Sequence, residues 1–322
     1  MIARALPLLF VLAVSGQGAA QTSVLTIKAT GDIADPIFAP RGDRIAADVG
    51  PDRICVWSAL DGTLIQTTEL PARPAAKIFD AAGDELLVSL RNGTIQVRAV
   101  STGALLREIK PDAGQRALAL SRDGRLLATA AQERVTLWDS SGTILRSFAH
   151  DFGNVVNLTF SPDGSVLATA GLDADVHLWD VATGRRKATV PDQLLANFAL
   201  RFTEDGKNLL IGGVAGAIEI VDVATATIAR RLPAQKYAVF AIDVSPDGES
   251  IGAAYFNIDS ITRPAPVTVS LLDSGRLVRR TNPGVPQAIA FAPDGQLRYV
   301  LMRGPELTIG VATPSATRRG GS

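Results

Sequence analysis

Short apolar runs separated by turn residues recur along this chain, and most of the runs are too short to be helices. One turn follows such a run seven times, at Phe38–Gly42, Phe79–Gly83, Leu120–Gly124, Phe160–Gly164, Phe202–Gly206, Val244–Gly248 and Phe291–Gly295. Neighbouring glycines of this turn are 41, 41, 40, 42, 42 and 47 residues apart. In its Pro-Asp-Gly form, proline fixes φ, aspartate bonds the backbone and glycine adopts positive φ. The motif therefore predicts a hairpin turn and not a catalytic site.

A second turn follows the first in every repeat. Its positions are Asp61-Gly62, Thr102-Gly103, Ser141-Gly142, Thr183-Gly184, Thr225-Ala226, Ser274-Gly275 and Pro314-Ser315. The second turn lies 20 residues after the first glycine in five repeats, 18 in the third and 27 in the sixth. Two turns at a fixed phase divide each repeat into four short strands, the pattern of a propeller blade. We predict an all-β, seven-bladed β-propeller with four antiparallel strands per blade.

The two ends of the repeat region predict how the ring closes. Val24 to Ala29 alternates like a strand before the first repeat, and the last repeat has three clear strands, ending with Leu307 to Ala312. We expect the N-terminal strand to close the last blade, which removes an open sheet edge. The propeller then spans residues 21–313. Residues 314–322, rich in Ser, Thr, Gly and Arg, predict a flexible C-terminal tail.

Residues 1–20 have the pattern of a signal peptide. Arg4 precedes an apolar run from Ala5 to Val14, and small residues lead to Ala20, after which we expect cleavage. The alternative is a membrane anchor, but the run is shorter than the roughly 20 residues that span a bilayer. We therefore expect a periplasmic or secreted protein with no membrane span after cleavage.

Composition and the lack of known catalytic motifs argue against several classes of function. The 32 basic and 32 acidic residues are balanced, which argues against a nucleic-acid partner. Cys55 is the single cysteine and is expected to be a packed small hydrophobe. The two histidines, His150 and His177, are not at a metal-ligand spacing, and no phosphate loop or nucleophile elbow is present. We expect no enzyme activity, no cofactor and no metal.

The tryptophans carry a family resemblance. Trp57, Trp138 and Trp179 all stand 14 or 15 residues after the first glycine of a repeat, and Trp138 and Trp179 are followed by Asp. Here the sequence resembles the WD40 repeat family, as an exported bacterial member. The resemblance covers about Ser23 to Thr313 and is closest from His150 to Val190.

This resemblance implies a structural hydrogen-bonded set in the fourth blade, formed by His150, Thr169, Asp173 and Trp179. A His–Asp acid–base pair is the alternative, but no nucleophile or metal ligand is placed beside it. The other blades lack the full set. We therefore expect strand pairing and apolar packing alone to hold them.

The resemblance also implies a binding surface, which we call the top face. It consists of the loops that lead into each blade and the loops that join second and third strands. Arginine and aromatic residues are common anchors of protein interfaces, although each one here could be an ordinary solvated residue. The candidate partner-binding residues are Arg73, Arg91, Arg134, Phe152, Asn154, Lys236, Tyr237, Phe256, Asn257, Arg263 and Arg303. The insertion Asn257–Pro266 in the sixth repeat extends this face, unless it is a neutral insertion.

These observations favour a monomeric periplasmic scaffold that binds another protein through its top face. One alternative is a propeller enzyme, or a small-ligand or metal binder, using the central channel. That alternative requires acidic or Asn residues from several blades to converge there. A second alternative is a component of an envelope machine resembling the propeller of the Tol system, which shares the Pro-Asp-Gly turn.

Overall fold

The computed structural model describes residues 24–111, 117–149, 155–171, 175–191, 197–257, 265–271, 276–303 and 305–312. The expected signal peptide and C-terminal tail lie outside these residues, so their boundaries stay predictions. The described chain forms seven four-stranded antiparallel sheets. Within it there is no helix with the length and hydrophobicity that a membrane crossing requires.

Each sheet is one blade of a ring, and the strands are numbered along the chain. Blades 1 and 2 contain β2 (Ile33–Phe38), β3 (Arg44–Val49), β4 (Arg53–Ser58), β5 (Leu64–Glu69), β6 (Pro74–Phe79), β7 (Glu85–Leu90), β8 (Ile95–Ala99) and β9 (Leu105–Ile109). Blades 3 and 4 contain β10 (Ala117–Leu120), β11 (Leu126–Ala131), β12 (Arg134–Asp139), β13 (Ile144–Ala149), β14 (Val155–Phe160), β15 (Val166–Gly171), β16 (Val176–Asp180) and β17 (Arg186–Val190). Blades 5 and 6 contain β18 (Asn197–Phe202), β19 (Asn208–Gly213), β20 (Ile218–Asp222), β21 (Thr227–Arg231), β22 (Ala238–Val244), β23 (Ser250–Phe256), β24 (Ala265–Leu271) and β25 (Leu277–Gly284). Blade 7 contains β26 (Pro286–Phe291), β27 (Leu297–Arg303), β28 (Glu306–Ala312) and β1 (Val24–Lys28).

The ring closes by pairing of the first and last of the described strands. The order of strands in blade 7 is β1-β28-β27-β26, and Thr26 stands opposite Thr308 in the β1–β28 ladder. The predicted seven-bladed architecture, with the N-terminal strand closing the last blade, is confirmed.

The core lies between successive blades, where the two faces of neighbouring sheets pack on each other. The second and third strands are buried on both faces, and residues such as Ile45, Leu87, Leu167 and Leu209 are almost fully enclosed. The fourth strands form the rim of the ring and carry most of the exposed positions. This arrangement explains why second strands such as β15 are almost entirely apolar and fully buried, because neither of their faces contacts water.

Arginine side chains join blades at the junction where the ring closes. Arg298 of blade 7 donates to the carbonyl oxygen of Gly42 in blade 1. Arg44 of blade 1 donates in turn to the carbonyl oxygen of Gly83 in blade 2, at 2.6 Å, and pairs with Asp84 at 3.0 Å. The first turns of these blades therefore serve as acceptors for the preceding blade.

The longest connection in blade 6 lies where the insertion was expected. β23 ends at Phe256 and β24 begins at Ala265, so residues 257–264 join the second and third strands. Ala265 and Pro266, which we placed in the insertion, belong to β24: Ala265 pairs with Gly284, and Pro266 lies in the irregularity between Ala265 and Val267. Of the connection itself, Asn257 is described.

Candidate functional site

A β-bulge recurs near the beginning of the first strand of six blades, at the end of the ring that carries the top face. The residues left out of the ladder are Asp35 and Pro36, Ala75, Val156, Phe198, Phe240 and Gln287. First strands are the innermost strands and surround the central channel. A bulge turns a side chain away from the direction that regular pairing would give it. The bulged residues therefore lie at the top ends of the first strands, around the mouth of the channel.

Apolar bulge residues are concentrated on three consecutive blades. We call Val156, Phe198, Phe240 and the adjacent Phe256 the apolar arc. The ring of Phe256 lies 5.7 Å from that of Phe198 and 6.0 Å from that of Phe240, both in edge-to-face geometry. Val156 is 37% exposed and Phe240 is 41% exposed, although both lie on innermost strands. Such a cluster of exposed apolar side chains is characteristic of interaction sites.

Charged residues occupy the other side of the mouth, on blades 1 and 2. The Lys77 ammonium lies 2.7 Å from Asp48 Oδ1, and the Lys77 side chain is 3% exposed. Burial is the main influence on the Asp48 carboxyl and raises its pKa, Lys77 opposes this rise, and the charge of Asp35 adds to it. Asp35 itself is exposed and has a φ of 45°. At the level of the bulges, the mouth is thus apolar on blades 4 to 6 and carries the exposed carboxylate of Asp35 on blade 1.

Several predicted partner-binding residues lie on the top face beside this mouth. Arg73 leads into blade 2, Arg91 follows its second strand, and the Arg91 N–H donates to the Arg73 carbonyl oxygen at 2.8 Å. Lys236 is exposed and Tyr237 is half-buried in the segment that leads into blade 6. That segment is fixed by the Gln235 N–H, which donates to the Gly216 carbonyl oxygen at 2.9 Å.

The remaining predicted residues are distributed differently. Phe256 is part of the apolar arc, and Asn257 follows it. Arg134 points toward the rim, because its guanidinium donates to Ser147 Oγ on the outermost strand at 3.2 Å. Arg303 ends β27, and its side chain lies outside the described part of the structure, as do Phe152, Asn154 and Arg263. Their role in binding stays a prediction.

The central channel contains a cavity of about 670 Å³ that all seven first strands line. Among its described lining residues are two carboxylates, and each is paired with an arginine. Asp243 lies 3.1 Å from Arg201 and accepts the Phe291 N–H at 2.7 Å, whereas Glu204 lies 2.7 Å from Arg122. Among the described residues, no three His, Cys, Asp or Glu side chains are placed to hold a metal ion. The two carboxylates of the channel come from blades 5 and 6, and both are engaged in ion pairs.

The structure shows what the tryptophan column does. The Trp179 indole N–H donates to Thr169 Oγ1 at 2.9 Å, while His150 and Asp173 lie outside the described residues. Blade 3 has the same bond, from Trp138 to Thr129 Oγ1 at 2.9 Å. The expectation that strand pairing and apolar packing alone hold the other blades is therefore wrong for blade 3. These buried hydroxyl groups satisfy indole N–H groups that would otherwise lose their partner on burial.

Sequence reasoning missed the apolar arc, apart from Phe256. Val156, Phe198 and Phe240 each stand eight residues before the first glycine of their repeat, at Gly164, Gly206 and Gly248. The column could therefore have been found by aligning the repeats. Its exposure could not have been found, because an apolar residue in a first strand is normally assigned to the core and the bulge is a property of pairing.

Comparisons with known proteins give a consistent picture of the repeat. The family model described as WD domain, G-beta repeat matches residues 142–180. The chain is 30% identical to human WD repeat-containing protein 36 over 127 residues, which are 38% of this chain and 14% of that protein. It is 27% identical to Protein HIR1 of Candida albicans over 156 residues, 38% of this chain and 17% of the relative. It is 28% identical to Transcriptional corepressor LEUNIG_HOMOLOG of Arabidopsis thaliana over 157 residues, 47% of this chain and 20% of the relative. The chain thus spans no more than a fifth of the length of these three relatives.

Proposed function

Since this chain is a WD40-like repeat propeller, we propose that it is an exported interaction scaffold that binds another protein through its top face. WD40 propellers are in general protein-interaction scaffolds, and one architecture serves many partners. The rigid ring holds the loops, and the loops hold the contact residues. The working unit is a monomer, whose sheets leave few edges for a second copy.

The apolar arc is the observation that carries this proposal. A monomer normally hides Val and Phe side chains on its innermost strands, yet Val156 and Phe240 are more than one-third exposed there. Predicted top-face residues Lys236, Tyr237 and Phe256 lie in or next to the same region. An apolar centre surrounded by polar loops has the anatomy of a protein-binding patch.

Export is the second part of the proposal. It is supported by the positive, apolar and small-residue segments of residues 1–20 in the sequence. Amino-terminal sequencing of the chain recovered from expressing cells tests this part. We expect the mature chain to begin at Gln21. A chain that still begins at Met1 and fractionates with the cytoplasm would contradict it.

Site-specific photo-crosslinking tests the binding surface. A benzoylphenylalanine residue replaces Arg91 on the top face in one variant and Lys207 in a first turn at the opposite end in another. Both positions are exposed, so neither replacement disturbs the core. We expect one discrete protein adduct from the Arg91 position and none from the Lys207 position.

The pattern of adducts decides between surfaces. Adducts from the Lys207 position with none from the Arg91 position would overturn the assignment to the top face. Equal diffuse labelling at both positions would overturn a specific scaffold function, because it reports random collisions.

A further inference from the structure

The two sides of the channel mouth differ in chemistry, and the difference defines what could lie across it. Blades 4 to 6 present Val156, Phe198 and Phe240, backed by Phe256. Blade 1 presents Asp35, which is three blades from blades 4 and 5 and two blades from blade 6 in the ring of seven. Asp35 therefore stands across the mouth from the apolar arc.

The Asp35 carboxylate is available for a partner. It is exposed, and it makes no hydrogen bond or ion pair with any other described residue. The nearby cation Lys77 is already held by Asp48, at 2.7 Å. Asp35 also adopts a φ of 45°, a conformation that costs energy for residues other than glycine and often accompanies functional positions. Its negative charge favours a cationic group on whatever occupies the mouth.

The arc itself favours a bulky apolar side chain. Although Phe240 packs edge-to-face on Phe256, it is still 41% exposed, and Val156, two blades away, is 37% exposed. A planar or branched apolar group that covers them removes this surface from water, the main source of affinity in small interfaces. A purely charged occupant would leave the arc exposed, and a purely apolar occupant would leave Asp35 without a counterion.

We propose that the mouth binds a linear peptide segment of the partner, with a bulky apolar side chain on the apolar arc and a basic side chain at Asp35. This inference rests on the proposed scaffold function and specifies the chemistry of its partner. Val156, Phe198 and Phe240 select the apolar group through contact, and Asp35 selects the basic group through charge. The basic group adds less to the binding affinity than the apolar group does, because an exposed ion pair contributes little free energy.

A panel of fluorescein-labelled peptides tests the proposal by fluorescence polarisation, with the protein as recovered from expressing cells. Each peptide has Phe and Arg separated by two, three or four Gly or Ser residues. In an extended chain these separations span roughly 10 to 17 Å. Companion peptides replace Phe by Ser, or Arg by Glu. We expect at least one Phe–Arg peptide to bind tenfold more tightly than its Ser–Arg companion and about threefold more tightly than its Phe–Glu companion.

Matched variants assign each preference to its residue. Phe240→Ser should abolish the preference for Phe, whereas Leu106→Ser, at a similarly exposed apolar position on the rim, should retain it. Asp35→Asn should abolish the preference for Arg alone, because asparagine tolerates the same positive φ. Asp52→Asn, at another exposed top-face carboxylate, should retain both preferences.

The outcomes separate this inference from the scaffold function. A panel with no preference, or preferences that survive both Phe240→Ser and Asp35→Asn, would overturn the proposed peptide chemistry. If the Arg91 photo-adduct persists in that case, the scaffold function stands and its partner has another chemistry. Loss of both the peptide preferences and the adduct would remove the scaffold function as well.

Discussion

Single threonine hydroxyl groups determine how the buried tryptophans are accommodated. Trp138 and Trp179 donate to Thr129 and Thr169, each on the neighbouring second strand. In both blades the threonine stands two residues after the ladder partner of the tryptophan. In blade 1 the ladder partner of Trp57 is Ile45, so the corresponding position is Ala47, which has no hydroxyl group. Blades 3 and 4 thus each contain a buried hydrogen bond between a tryptophan and a threonine.

Replacing Thr169 by Val tests this bond. The methyl group keeps the shape and leaves the Trp179 indole N–H buried without its acceptor, so we expect a loss of about 1–3 kcal/mol in the free energy of unfolding. Denaturant titration measures the loss. Thr30→Val, at an exposed position, is the control and should change stability by less than about 0.5 kcal/mol. Equal stabilities of the two variants would show that the bond contributes nothing.

Removing the whole indole should cost more. We expect Trp179→Ala to lower the free energy of unfolding by about 3–5 kcal/mol, because it deletes a buried aromatic side chain that packs on Phe148 at 4.5 Å. Arg91→Ala, on an exposed loop, should have a small effect. Thermal denaturation compares the two, and identical melting temperatures would contradict the blade register described here.

The sequence pattern predicted the buried tryptophans of the blades better than the exposed residues of the apolar arc. The tryptophan column was visible because Trp57, Trp138 and Trp179 occur at one phase of the repeat. The exposure of Phe240 was not visible, because it depends on a bulge between Val239 and Ala241 that only the pairing with β23 reveals. Likewise, no pattern in the sequence indicates that Lys77 reaches Asp48 in the preceding blade.

Turns are the elements that the sequence predicts most accurately, and their aspartates show why. In the first turns, Asp123 accepts from Ser121 Oγ at 2.6 Å and from the Arg125 N–H at 3.1 Å, and Asp205 repeats this arrangement with Thr203 and Lys207. In the second turns, Asp139 and Asp180 accept from nearby hydroxyl and backbone groups. Because all of these bonds are local, they are encoded in the few residues of the turn.

These hydrogen bonds make the stability of the folded state depend on pH in the acidic range. They lower the pKa of eight turn aspartates, Asp61, Asp123, Asp139, Asp163, Asp180, Asp205, Asp222 and Asp247, and that of Asp61 falls to about 2. A carboxyl group whose pKa is lower in the folded state stabilises that state at pH values above its unfolded-state pKa, which is near 3.9. This stabilisation is lost as the pH falls through the folded-state pKa.

We therefore expect the melting temperature to fall as pH decreases from about 4 towards 2. Differential scanning calorimetry at fixed ionic strength measures this dependence. The Asp48→Asn variant is a useful comparison above this interval: burial raises the pKa of Asp48, so its protonation in the folded state occurs above about pH 4, where it favours folding as pH falls. A melting temperature that stays constant or rises over this interval would contradict the role assigned to the turns.

The closed ring is the feature that belongs to the whole molecule. β1 and β28 come from opposite ends of the chain, and their ladder completes blade 7. The arginine contacts from Arg298 to Gly42 and from Arg44 to Gly83 then join blades 7, 1 and 2. The closure was predictable because the last repeat lacks a strand and Val24–Lys28 supplies one, whereas the arginine contacts depend on side-chain directions that the sequence does not encode locally.

A disulfide across the closing ladder tests its importance. Thr26 and Thr308 are directly opposite, so their Cα separation suits the bond in a Thr26→Cys/Thr308→Cys variant. Oxidation should stabilise the ring by up to about 4–5 kcal/mol, because it joins distant parts of the unfolded chain. Melting of the oxidised and reduced forms measures the gain, with Thr26→Cys alone as control. A formed disulfide with no change in melting temperature would contradict this expected gain.

Closure also sets the order in which this protein can mature during synthesis. During synthesis β1 emerges well before β28, because Thr26 and Thr308 are 282 positions apart in the sequence. Blades 1 to 6 consist of consecutive strands and can form as they emerge, whereas blade 7 waits for the last segment. Until then β1 has no ladder and its edge is open to other chains. A chain truncated before β28 would therefore leave β1 without its partner strand and the ring open to association with other chains.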